Sequence, residues 1–222
     1  MSTATWEPIT CLVTDRRRLV GASVSFVEQV AALERVIATA VAAGVDLIQV
    51  REPDLESRDL LTVARLAVDA ARGFECRIVV NDRLDVALAA GADGVHLRAS
   101  GAPVPRVRAC VPPGWLIGRS AHSPAEVAAA ATADYIVFGT VFDTASKPGV
   151  MGQGLTRLAA AVGGVTVPVL AIGGINAGNV AQCAEVGAKG VAAISLLTSH
   201  EGDVAALGDL IRHIKGHFVS LT

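Results

Sequence analysis

Ile9-Thr10-Cys11-Leu12-Val13-Thr14-Asp15-Arg16-Arg17-Arg18 is a short apolar run that stops abruptly at a polar turn. An uninterrupted run of this kind suits a strand of a parallel sheet covered on both faces. The turn after it contains no G-x-G-x-x-G, the loop that opens a doubly wound dinucleotide-binding sheet. The same unit then recurs down the chain. Strand-like runs fall at 9–14, 47–51, 77–81, 94–97, 116–120, 135–139, 167–172 and 190–195. Between and after them lie amphipathic, Ala-rich stretches at 25–43, 57–71, 83–90, 103–110, 124–132, 155–162, 177–186 and 204–215. The first two of these open on serine, a good helix N-cap. Eight strand signals alternating with eight helical ones predict a (β/α)8 TIM barrel, with 1–222 as one domain.

Working outward, a second regularity supports the same reading. Gly44-Val45-Asp46, Gly91-Ala92-Asp93 and Gly187-Ala188-Lys189 each precede a strand, and Thr132-Ala133-Asp134 is a variant. Each reads as a helix ended by glycine and turned into the next strand, a structural device at the bottom of the barrel.

Composition narrows the function. Hydrophobic residues are 52% of the 222-residue chain and charged residues 18%, enough for a packed core and unlike a disordered chain. The formal net charge is −2, and Arg16-Arg17-Arg18 is the only tight basic cluster. It reads as a solvated loop, so nucleic acid is not an expected partner. Cys11, Cys76, Cys110 and Cys183 show neither a C-x-x-C pair nor metal-type spacing, as expected of buried thiols in a reducing compartment. No signal peptide or membrane span of roughly twenty apolar residues is evident, which predicts a cytoplasmic protein.

In a barrel of this type the chemistry gathers where strands end and βα loops begin. Those positions carry Asp15, Gln49, Arg51, Asn81, Asp82, His96, Arg119, Ser120, His122, Thr144, Lys147, Gly173, Gly174 and Ser195. Gly173-Gly174 after the seventh strand and Ser195-Leu196 after the eighth stand where barrels of this kind hold phosphate, with backbone amides exposed to an anion. His122 follows the fifth strand, and because an imidazole can both take and return a proton it is the candidate acid/base. His96, flanked by Val95 and Leu97, reads equally as a hydrogen-bonded wall residue. The Gly-rich stretch 138–154 reads as a mobile βα loop, with Lys147 able to reach an anionic substrate.

These residues together resemble the thiamine phosphate synthase/TenI superfamily. The resemblance runs from about Ile9 to Ile214. It rests on Gln49-Val50-Arg51-Glu52, Asn81-Asp82-Arg83, Gly94-Val95-His96-Leu97, Ile117-Gly118-Arg119-Ser120-Ala121-His122-Ser123, Asp134-Tyr135-Ile136-Val137-Phe138-Gly139, Thr144 to Lys147, and Ala171-Ile172-Gly173-Gly174-Ile175. It implies one of two activities. A synthase joins an aminopyrimidine diphosphate to a thiazole phosphate, with Mg2+ neutralising the departing diphosphate. A TenI-like tautomerase aromatises a thiazole carboxylate phosphate by moving a proton, without a metal.

Measured against the synthase pattern, Pro53 stands in place of a lysine, and Asp143-Thr144 replaces Pro-Thr. His96-Leu97-Arg98-Ala99-Ser100-Gly101 lacks the Gln-x-Asp that would supply a second magnesium carboxylate. These departures favour the tautomerase. On that reading His122 shuttles the proton and Arg51 or Lys147 pairs with the carboxylate. Arg51, Asn81, Ser120, Lys147, Gly173, Gly174, Ser195 and Leu196 hold a small phosphorylated thiazole, and no cofactor is needed. The alternatives are the synthase itself, with Mg2+ on Asp82, and an inactive phosphate-binding regulator of the same fold. The sequence does not fix the oligomeric state; a homodimer is common for this architecture by analogy alone.

Overall fold

The computed structural model describes residues 7–21, 23–144, 149 and 151–219. The first strand, β1 (Ile9–Val13), pairs in parallel with both β2 (Leu47–Val50) and β8 (Gly190–Ala193), and this double pairing closes the sheet. Between them run β3 (Arg77–Asn81), β4 (Gly94–Leu97), β5 (Leu116–Ala121), β6 (Tyr135–Gly139) and β7 (Val169–Ile172), in chain order around the closed barrel. The chain is thus a (β/α)8 TIM barrel, as its alternating pattern predicts.

The strands alternate their side chains between two cores. Cys11, Val13, Leu47, Val79, Tyr135, Val137, Leu170 and Ala192 fill the barrel interior. Leu12, Ile48, Ile78, Ile117 and Ile136 point outward and are sealed by the surrounding helices. Every strand is buried on both faces, which is why none of the runs alternates with polar residues.

Helices α2 (Phe26–Ala42), α3 (Ser57–Ala70), α4 (Leu84–Ala90), α5 (Val104–Arg108), α6 (Pro124–Ala129), α7 (Gly154–Val162), α8 (Val180–Glu185) and α10 (Val204–Val219) match the predicted stretches within a few residues. Ser25 caps α2 in a reciprocal capping box with Glu28. Ser57 is not a cap: Glu56 holds that position without a side-chain bond, and Ser57 is the first helical residue.

Two short helices were not foreseen, α1 (Arg16–Val20) and α9 (Ser195–Thr198). The first corrects the reading of Arg16-Arg17-Arg18 as a solvated loop. Arg16 is only 3% exposed, and its guanidinium lies against Glu52 at 2.8 Å and against Asp54.

The glycine-terminated connections do more than turn the chain. Gly44, Gly91 and Gly187 adopt φ of 89°, 72° and 92°, which only glycine enters freely. The aspartate two residues after the first two of them reaches sideways to the neighbouring strand. Asp46 accepts from the Thr10 amide at 2.8 Å and Asp93 from the Ile78 amide at 2.8 Å. Asp134 accepts from the Ile117 amide at 2.7 Å in the same way. The carboxylates thus cap backbone donors at the start of β1, β3 and β5. No helix among the described residues is long and apolar enough to cross a membrane.

Candidate functional site

At the C-terminal end of the barrel, where the strands deliver their last side chains, opens a cavity of about 1040 Å3. Its volume is at the top of the range for a small-molecule site, room for two substrates side by side. Arg51, Asn81, Asp82, Ser120, His122, Gly173, Gly174, Ser195 and Leu196, from five different strand ends, all line it. Lys147 lies outside the described residues.

The floor is a hydrogen-bonded layer of strand residues. Gln49 on β2 donates through Nε2 to Asn81 Oδ1 on β3 at 2.9 Å. His96 on β4 is 1% exposed and bridges two hydroxyls, with Nδ1 at 3.1 Å from Tyr135 and Nε2 at 2.8 Å from Ser120. Burial pushes its pKa down to about 3, helped by the charges of Arg119 and Arg51. The ring is therefore neutral at physiological pH, and its role is to fix the Ser120 hydroxyl facing the cavity. Gly118 makes this layer fit, since a Cβ there would meet the Tyr135 ring at 2.2 Å and His96 Nδ1 at 2.6 Å.

His122 is on the wall, exposed, just beyond β5. Its Nδ1 lies 2.6 Å from the Gly139 carbonyl, which can only accept, so Nδ1 carries the proton and Nε2 is the basic nitrogen. Arg119, one residue before Ser120, has a different task. Its guanidinium donates to the Ala102 carbonyl at 2.6 Å and the Ala99 carbonyl at 2.7 Å, pinning the loop after β4.

The two glycines after β7 turn at φ of 98° and 66°, and they are needed for packing as well as for turning. A Cβ on Gly173 would meet Thr140 at 2.4 Å, and one on Gly174 the Asp143 carbonyl at 2.5 Å. The loop after β6 thus lies directly on this turn.

Cationic and anionic groups face each other around the mouth. Arg51 donates its amide to Thr14 Oγ1, but its guanidinium has no hydrogen-bond or ion-pair partner among the described residues. A free guanidinium in a cavity is a standing anion site. Glu52 beside it is 4% exposed and ion-paired to Arg16, yet its pKa is raised because burial outweighs the arginine. Asp54, bound to the same guanidinium but nearer solvent, has its pKa lowered by that hydrogen bond. The pair shows burial, not the shared partner, setting the difference.

Asp82 follows β3, the strand next to the one that delivers Arg51, and it lines the cavity as a carboxylate that could hold a metal. Its backbone adopts φ of 61°, alone among the described non-glycine residues, and its carboxylate accepts from the Arg98 amide at 3.2 Å and pairs with the Arg98 guanidinium. No group of three or more His, Cys, Asp or Glu among the described residues could cage an ion. Magnesium commonly takes one or two protein carboxylates and completes its shell with substrate phosphates and water. Asp82 fits that donor set when a diphosphate supplies the rest.

Comparison with known proteins agrees with this arrangement. Residues 12–197 match the family model described as thiamine monophosphate synthase. A thiamine-phosphate synthase of Methanoculleus marisnigri is 47% identical over 176 residues, covering 78% of this chain and 83% of the relative. One from Mycobacterium tuberculosis is 39% identical over 212 residues, covering 90% and 91%. The thiamine phosphate pyrophosphorylase structure from Pyrococcus furiosus superposes with a TM-score of 0.77 at 30% identity, over 94% of this chain and 96% of that one.

These relatives overturn the tautomerase reading. Proteins up to 47% identical to this chain bear the synthase name, so the expected isomerase, with His122 as its proton shuttle, is corrected. The missing magnesium ligands do not exclude a synthase, because one carboxylate with substrate phosphates suffices for that ion. With the barrel, the strand-end residues and the relatives all in agreement, the chain belongs to the thiamine phosphate synthase/TenI superfamily and is an enzyme of thiamine biosynthesis.

Proposed function

We propose that the protein is a thiamine-phosphate synthase, a transferase that couples an aminopyrimidine diphosphate to a thiazole phosphate. In this reaction the bond from the pyrimidine methylene carbon to the diphosphate oxygen breaks, and its electron pair departs with the diphosphate. The thiazole nitrogen supplies the pair for the new C–N bond. The site must therefore hold two substrates in line and neutralise a leaving dianion or trianion.

The observation that carries the reading is the Arg51 guanidinium, without a partner among the described residues and in the same cavity as the strand-seven and strand-eight turns. It offers a diphosphate a bidentate partner. Gly173, Gly174, Ser195 and Leu196, about the turns after β7 and β8, offer amides to the phosphate of the second substrate. Asn81 and Ser120, oriented by Gln49 and His96, are positioned to bind the pyrimidine between the two anion sites. Asp82 would hold Mg2+, which lowers the cost of charge building on the leaving group. His122, with Nε2 basic, is a hydrogen-bond acceptor for the substrate edge nearest β5 and β6.

The test is direct. Purified protein given aminopyrimidine diphosphate, thiazole phosphate and Mg2+ is expected to release thiamine phosphate and diphosphate in equal amounts. Absence of both products, with the M. tuberculosis relative active in parallel, overturns the assignment.

A further inference from the structure

The loop after β4 departs most from the synthase pattern, and its first residue is an arginine. Arg98 follows Leu97, the last residue of β4, and lines the cavity. Its side chain is 69% exposed, while the Asp82 side chain that it contacts is only 16% exposed. The guanidinium engages Asp82 Oδ2 through Nε, and the Arg98 amide donates to Oδ1 at 3.2 Å. Both carboxylate oxygens are thus committed to one residue.

The framework under this pair is stiff. The Asp82 amide donates to the His96 carbonyl at 2.8 Å, tying it to β4. The Gly101 amide donates to the Arg98 carbonyl at 2.8 Å, closing the loop into a tight turn. Arg119 holds the Ala99 and Ala102 carbonyls of the same loop. A Cβ on Gly101 would lie 3.0 Å from the Arg98 carbonyl and 3.1 Å from Asp82 Oδ1, so the turn packs directly against the carboxylate. The base of Arg98 is fixed, and only its exposed guanidinium is free to change partner.

We propose that Arg98 and a divalent cation are alternative partners of the Asp82 carboxylate, and that a diphosphate resolves the competition by drawing the guanidinium onto its own oxygens. The reading rests on the synthase assignment and deepens it. A guanidinium forms bidentate pairs with phosphate as readily as with carboxylate. The diphosphate offers more charge and more acceptors than a single carboxylate, and Arg98 is exposed enough to turn to it. Asp82 then keeps its amide contact and presents its other oxygen to the metal. Metal and diphosphate therefore bind with positive coupling written into one side chain, and by linkage the coupling is reciprocal.

Two binding measurements on the full chain test this without turnover: Mn2+ alone, followed by loss of the free-ion electron paramagnetic resonance signal, and inorganic pyrophosphate alone, followed by calorimetry. In Arg98→Gln the affinity for Mn2+ alone should rise several-fold, because its competitor is gone. The affinity for metal-free pyrophosphate should fall about tenfold, since one charge-assisted contact is lost. Asp82→Asn should abolish the Mn2+ gain when added to Arg98→Gln. Unchanged Mn2+ affinity in Arg98→Gln, or a gain that survives Asp82→Asn, overturns the proposal. The two readings fail separately. Wild-type turnover with unchanged Mn2+ affinity in Arg98→Gln keeps the synthase and discards the exchange. Arg98-dependent binding without any thiamine phosphate formed by the wild type does the reverse.

Discussion

Single side chains carry most of the chemistry here, and two of them give sharp expectations. The Arg51 guanidinium has no hydrogen-bond or ion-pair partner among the described residues, so Arg51→Ala should leave the melting temperature within about 2 °C of wild type, as surface changes commonly do. The same variant should bind inorganic pyrophosphate about ten- to a hundredfold more weakly by calorimetry. Buried His96 predicts a pH dependence. Its folded pKa is pushed down to about 3, whereas the unfolded chain protonates it near the ordinary value of about 6.5. Between those limits the unfolded state binds the extra proton, so this contribution is complete above pH ~6.5 and is lost as pH falls. Urea unfolding of the wild type should weaken by up to about 1.4 kcal/mol per pH unit below that point, relative to His96→Asn. Parallel curves for the two proteins would show that His96 is not held neutral. Neither role is visible from flanking residues: Val95 and Leu97 announce a buried strand, but the Tyr135 and Ser120 hydroxyls on either side of the ring come from β6 and β5.

At the level of strands, helices and turns, the two ends of the barrel should respond differently to substitution. Asp93 and Asp134 cap the Ile78 and Ile117 amides on the side remote from the cavity. Removing either carboxylate leaves a backbone donor unpaired at a strand start, so Asp134→Ala should cost about 1–3 kcal/mol of unfolding free energy. Its kcat and KM at a permissive temperature should stay within twofold of wild type. At the other end, Gly174→Ala forces a side chain into φ of 66° and against the Asp143 carbonyl. The loop after β6 must then move, and we expect KM for thiazole phosphate to rise at least tenfold even where the protein remains folded at 25 °C. The Gly-x-Asp connections were legible because each is local: the turn, the glycine and the carboxylate lie within three residues. The five-residue helix α1 was not, because Arg16 is drawn in by Glu52 and Asp54, thirty-six and thirty-eight residues further along.

For the whole molecule, binding at one cavity shared by all eight strand ends should stabilise the barrel as a unit. Pyrophosphate with Mg2+ at about a hundred times its dissociation constant adds about 2.7 kcal/mol, a melting-temperature rise of roughly 5–10 °C for a domain of this size. The rise should shrink in Arg51→Ala at the same ligand concentration, as differential scanning fluorimetry would show. The barrel itself, its strand order and the end that carries the chemistry follow from local pattern. The apolar runs, the glycine turns before three of the strands and the polar residues at the strand ends are near neighbours in the chain, and parallel β/α units close in only a few ways. The partners of those polar residues were settled only in three dimensions. Arg119 stands among the polar strand-end residues but pins a loop; Arg98 lies in the segment that lacks the second metal carboxylate and holds Asp82. Which charge meets which depends on the register of adjacent strands and on how far a long side chain reaches. Neither is encoded in the spacing of residues along a single run.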